Sequence, residues 1–217
     1  MIIIHLYKTV ILKELYRRGH EIATHSITHN EEEYWQNGTE QTWADEMGGM
    51  RDMLSRWANI PPHEIYGSRA PFLRMGGNRQ MSALTDQGFL YDSSMVAPLS
   101  NPPYWPYPLA FATPHRCFVN SQKCPTRSFS IMEMVMNEID PREEPGNLDE
   151  QVSGCTMLDS CANIRNEDSL YNVLTHNFIR LVSKYHVTLE MIHLNNNSYK
   201  NKYLSKLNFL GKLPKRP

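Results

Sequence analysis

Apolar side chains recur at helical spacing in two stretches of the chain, and a short apolar run follows each. Residues 7–18, YKTVILKELYRR, carry apolar positions at helical spacing with basic residues near the end, and Gly19 supplies a stop, so the pattern predicts a helix. Residues 19–24 then read as a brief strand. Residues 39–58 repeat the arrangement: Trp43, Met47, Met50, Leu54 and Trp57 fall on one helical face, Glu40 and Asp45 favour its N-terminal part, and Pro61-Pro62 ends it. A strand over 65–68, a helix over 78–87 and an extended Phe89-Leu90-Tyr91 form a third unit, and residues 131–139 read as a further helix before an acidic loop over 140–154. Alternating helix and strand imply a parallel sheet or barrel, with working groups at the C-terminal ends of the strands.

The middle of the chain breaks this rhythm. Pro98, Pro102, Pro103, Pro106, Pro108 and Pro114 crowd residues 96–125, with Tyr104, Trp105 and Tyr107 between them. Proline removes donors and fixes φ, so the stretch reads as a long surface excursion rather than a helix or central strand. Its aromatic faces suit stacking on sugar rings; the alternative is that Trp105 and the tyrosines plug the open end of the domain.

Two motifs carry candidate chemistry. THSITH, residues 24–29, sets His25 and His29 four apart at a predicted strand end, where neutral imidazoles suit zinc. The competing reading is a chance pair of ordinary histidines, since the chain has nine. Ser26 follows His25, so the H-E-x-x-H peptidase signature is absent. Arg69-Ala70-Pro71-Phe72 follows the 65–68 strand, with Gly76-Gly77 close behind. There an arginine could hold a carboxylate and a backbone N–H could stabilise an oxyanion.

Composition narrows the setting. The 217 residues can bury one sizeable core, and 41% hydrophobic with 21% charged residues is ordinary for a globular domain. A formal net charge of −1 with no basic stripe disfavours nucleic acid, and no apolar run is long enough to span a membrane. Cys117 with Cys124, and Cys155 with Cys161, form two local pairs that suggest small disulfide loops more than a metal site. Asn37-Gly38-Thr39 and Asn196-Asn197-Ser198 fit the N-glycosylation pattern. Residues 1–8 do not read as a signal peptide, so the expectation is a secreted protein whose leader is missing from this chain.

GHEIATHSITH and RAPFLRMGGN, together with YWQNGT, YDSS, WPYPL, PHRC, CPTRS, MVMNE and GCTMLDSC, resemble the insect-type chitin deacetylases of the polysaccharide deacetylase (NodB-like, carbohydrate esterase family four) superfamily. The resemblance runs from about residue 15 to about residue 178. It implies an α/β fold, a distorted (β/α) barrel here incomplete and lacking its first strand or strands, and a monomer acting on chitin or N-acetylglucosamine oligomers. It also implies hydrolysis of N-acetyl groups with Zn2+ or another divalent metal, which polarises the carbonyl and lowers the pKa of a bound water. Carried over by position, His25 and His29 are metal ligands, Arg69 orients the base and Phe72 offers its N–H to the oxyanion. Asp92 supports the arginine network or lines the cleft, and Trp105 belongs to the substrate groove.

Two departures set further expectations. The family's first motif, threonine-phenylalanine-aspartate-aspartate, supplies the base and the third metal ligand, and residues 1–7 contain no acidic side chain. Loss of a general base alone is worth roughly 10² to 10⁴ in rate, so activity of this chain is expected to be impaired. After residue 178 the family pattern ends, and His193 takes the acid role in unfamiliar surroundings. The chain thus divides into a truncated catalytic domain, 1–178, and a divergent tail, 179–217, whose asparagine and lysine content suits poor order. A catalytically silent chitin-binding relative and a small disulfide-linked protein-binding domain are the alternatives.

Overall fold

The computed structural model describes residues 2–100, 102–117, 123–143, 153–161 and 164–193. Helix α1, Ile2–Arg17, covers the helix expected over 7–18 but begins five residues earlier, and Gly19 turns the chain at φ 86°. Leu12, Leu15 and Tyr16 of α1 pack on a small core of Ile22, Leu54, Ala58, Ile60 and Ile65. The expected strand over 19–24 is reduced to one rung, a parallel bridge between Thr24 and Ser68.

After a short helix α2, Glu32–Asn37, the chain builds one helical rod from α3, Glu40–Trp43, a π-helical segment, Ala44–Gly48, and α4, Gly49–Ala58. Thr39 starts it with a capping box to Thr42, and Asn59 in the left-handed region ends it. The π segment takes more residues per turn than an α-helix, which slips the buried stripe by one position. Trp43, Met47 and Leu54 therefore face the core as the periodicity predicts, but Ala58 replaces Trp57, which is 54% exposed.

The larger sheet has the order β1, β2, β5, β4, from β1 Gly67–Ser68, β2 Tyr91–Asp92, β4 Tyr107–Pro108 and β5 Met132–Glu133. β1, β2 and β5 run parallel, with Ser68 opposite Asp92 and Asp92 opposite Glu133, while β4 is antiparallel on the edge. An edge is where Pro108 is tolerated, since no neighbour needs its missing N–H. β3, Val96–Ala97, pairs in parallel with β6, Met136–Asn137. Helix α5, Asn78–Asp86, joins β1 to β2 and buries Met81 and Leu84 beside Trp35, Trp43, Met47, Phe89, Met95 and Leu109 in the main core.

Two expectations are corrected here. Residues 131–139 form β5 and β6, not a helix: Ile131 and Glu133 are buried while Met132 and Met134 are exposed, the alternation of a strand. Methionine and glutamate favour helices intrinsically, and tertiary pairing overrides that preference. The proline-rich stretch is also more than a surface excursion, because it supplies β3 and β4 and buries Val96, Ala97 and Leu109.

Both cysteine pairs are bonded, Cys117 to Cys124 and Cys155 to Cys161, with Cα atoms 6.0 and 5.2 Å apart. Helix α6, Glu167–His193, runs through the domain boundary expected at 178. Asp140 ties it down, accepting from His176 Nε2 at 3.1 Å while Asn177 Oδ1 accepts from the Asp140 N–H at 2.9 Å. Burial alone would raise the Asp140 carboxyl, but hydrogen bonds from Arg142 and His176 outweigh it and hold the group down at about 2. The Asn196 sequon and the tail over 194–217 lie outside the described residues, as does most of the acidic loop, 144–152.

Candidate metal-binding site

One rung of backbone pairing sets the two motifs side by side. The Thr24 N–H donates to Gly67 O at 2.9 Å and the Arg69 N–H donates to Thr24 O at 3.0 Å, so His25 and Arg69 are the first residues past the rung. His25 Nδ1 lies 2.9 Å from Arg69 O. A carbonyl only accepts, so Nδ1 carries the proton and Nε2 keeps its lone pair, the arrangement a metal-ligating histidine needs. Loss of water around the ring lowers the His25 pKa, more than the hydrogen bond to Arg69 raises it, and His29 and Arg69 add to the lowering. The neutral form that can bind a metal is thereby favoured.

The His29 ring stands 5.1 Å from that of His25, centroid to centroid, at 65°. The Phe72 ring closes the group, 4.7 Å from His29. Ser26, His29, Phe72 and Leu73 all have φ between 46° and 69°, and the fifth non-glycine residue at positive φ among the described residues, Asn59, is a helix cap. Non-glycine residues at positive φ are uncommon and concentrate at functional sites.

Behind this group, Arg69 donates through Nε to Ser93 O and through Nη2 to Ser93 Oγ, both at 2.8 Å. Asp92 is 0% exposed and accepts from Ser68 Oγ at 2.8 Å, Gln80 Nε2 at 3.1 Å and the Ser94 N–H at 3.0 Å. Its side chain therefore braces the strand ends under the arginine and does not line a cleft. Burial raises the Asp92 carboxyl, against the pull of Ser94, Ser68 and Arg69. On the neighbouring strand Glu133 is equally buried, and burial and the Asp92 charge push its pKa well up.

Other residues at the site carry no sequence signal. Glu46, in the π segment, is 5% exposed and accepts from the Ile27 and Thr28 N–H groups at 2.8 and 3.0 Å and from Thr28 Oγ1 at 2.8 Å. Ser93 and Gln80 join it as groups whose roles exist only in three dimensions. Trp105 is 57% exposed. Tyr107 opposes Glu133 across the antiparallel β4–β5 pair, so Trp105, two residues earlier, extends past the C-terminal end of β5 on the side of Arg69 and Ser93. His193 is the last residue of α6, and its side chain lies outside the described residues. Two open depressions surround Tyr66 at the opposite, N-terminal end of β1, away from the histidine pair.

The fit to a divalent metal is that of a partial donor set. Two adjacent imidazoles, one fixed in its tautomer by a backbone carbonyl, suit zinc. Among the described residues no group of three histidine, cysteine, aspartate or glutamate side chains is placed to hold a metal ion.

The chain is 53% identical to Chitin deacetylase 1 of Bombyx mori over 170 residues, which cover 78% of this chain and 31% of that protein. It is 38% identical to Chitin deacetylase 8 of Bombyx mori over 120 residues, 54% of this chain and 31% of the relative. A crystal structure of a polysaccharide-deacetylase-type protein from Mycobacterium smegmatis aligns with a TM-score of 0.40 and 21% identity over 68% of this chain and 43% of that one. No protein-family model matches the chain. Over most of its length the chain is similar to insect chitin deacetylases, a likeness that supports the NodB-like polysaccharide deacetylase family. The chain spans 31% of the length of these curated relatives.

Proposed function

We propose that this chain carries part of the active site of a secreted, metal-dependent deacetylase acting on N-acetylglucosamine polymers such as chitin, within an incomplete (β/α) barrel. The observation that carries the reading is the His25–His29 pair at a strained strand end, with His25 locked by the Arg69 carbonyl. His25 Nε2 and the His29 imidazole would hold the ion. A divalent cation bound there would polarise the acetamide carbonyl and acidify a water. Arg69 fixes the strand end through Ser93, the Phe72 backbone N–H is offered to the oxygen that gains charge, and Trp105 provides a face for a sugar ring. Two disulfide pairs suit an oxidising, extracellular setting, and no described helix is long and apolar enough to cross a membrane.

A second reading is favoured by the donor count. With no third ligand beside the pair among the described residues and Asp92 buried, this chain by itself holds chitin better than it hydrolyses it. Acetate release from chitin oligomers with added Zn2+ separates the two. The expected result is zinc binding that His25→Ala or His29→Ala abolishes, with turnover by this chain at least about 10²-fold below that of a form with a complete base and ligand set. Zinc content unchanged in both variants would overturn the ligand assignment, and full turnover by this chain would overturn the impairment.

A further inference from the structure

We propose that Glu46 is a positioning residue: its carboxylate holds the turn between His25 and His29 in the shape that presents both imidazoles to one cation. This rests on the reading of the two histidines as ligands. The turn cannot hold that shape cheaply by itself, because Ser26 and His29 both sit at positive φ and Ile27, Thr28 and His29 are exposed. Its internal support is one hydrogen bond, from the His29 N–H to Ser26 Oγ at 3.1 Å.

Glu46 supplies the rest. One oxygen accepts both the Ile27 and Thr28 N–H groups, and the other accepts Thr28 Oγ1 at 2.8 Å and Tyr34 Oη at 3.4 Å. Hydrogen bonds to an ionised acceptor are stronger than neutral ones. A buried carboxylate requires such compensation, and among the described ion pairs no cation is matched to Glu46, so its burial is offset by the turn. The residue sits midway along the π segment, a helix irregularity found mostly where a side chain is aimed for function. The turn also rests directly on the rod: a Cβ at Gly49 would come within 2.8 Å of Ile27 Cδ1.

The test measures Zn2+ affinity and amide hydrogen exchange in the whole chain and in Glu46→Ala, Glu46→Gln and Thr28→Val. Loss of a group that orients metal ligands costs about 10- to 100-fold in affinity, the fall expected for Glu46→Ala, with faster exchange at Ile27 and Thr28. Glutamine keeps one acceptor for both N–H groups, and the Thr28 hydroxyl can rotate to accept, so Glu46→Gln recovers most of the loss. Thr28→Val leaves the helix untouched and removes one bond; it decides the matter if Glu46→Ala does not fold, by weaker zinc binding and faster exchange at Thr28. Zinc affinity within about twofold of wild type in Glu46→Ala, or unchanged in Thr28→Val should that variant have to stand in, overturns the proposal alone. Wild-type zinc binding that does not depend on His25 overturns the ligand reading, and this proposal with it.

Discussion

Gly76→Ala offers the sharpest test of how the core supports the site. A Cβ at Gly76 would lie 2.6 Å from Trp43 Cε2 and 2.8 Å from Cζ2, with Nε1 closer still. Carbon atoms settle at about 3.5–4.0 Å, so the indole has to retreat by roughly 1 Å. It has nowhere to go: Trp43 is 0% exposed and packs on Trp35 with ring centroids 5.2 Å apart. Gly76 is not among the glycines at positive φ, so the cost is steric and not conformational. Overpacking of this kind costs about 1–3 kcal/mol, and two rigid aromatic rings place this case near the upper end. With a urea slope of about 2 kcal/mol/M, the unfolding midpoint falls by roughly 1.5 M. Trp43→Leu removes all three colliding ring atoms together with an Nε1 that has no hydrogen-bond partner, so the two substitutions should couple by more than about 1 kcal/mol. A Gly76→Ala midpoint equal to wild type, or additivity within about 0.5 kcal/mol, would refute the packing argument.

Glu133→Gln tests the buried carboxyl pair through pH. Glu133 is raised when folded, so the native state holds its proton more tightly than the unfolded chain, and stability falls as pH rises from the ordinary value of 4.5 through the folded one. The glutamine variant lacks that loss, so its stability relative to wild type should rise as pH climbs above 4.5 in denaturant titrations; parallel curves would contradict the raised pKa. Trp105→Ala should weaken chitin-oligomer binding about two- to tenfold through lost stacking, with the unfolding midpoint unchanged because the ring is 57% exposed. A lowered midpoint with affinity intact would make Trp105 a plug.

The histidine and arginine motifs were legible because each follows a strand signal, and strand ends are where open sites form. The helix at 78–86 and the strand after it were legible for the same reason, with Gly77 at φ 65° marking the start. What escaped depends on partners far away in sequence. Each strand is only two residues long, too short for an alternating pattern to outweigh the helix preference of Met132, Glu133, Met134 and Met136. Trp57 was misplaced because a π segment changes helical phase without any residue type announcing it. Glu46 looks like one more polar helix residue until the turn it serves is brought against it, and the run Asp92-Ser93-Ser94 gives no hint that its first member is sealed from water.

The rung between Thr24 and Ser68 gives the molecule a modular character. Thr24 and the Gly67 carbonyl it meets are 43 positions apart in sequence, yet the spacing of imidazole and guanidinium is decided locally, by two main-chain contacts. Surface insertions within that intervening span would leave the chemistry in place as long as this splice holds. A one-residue slip at the splice would swap inward and outward side chains and dismantle both motifs at once.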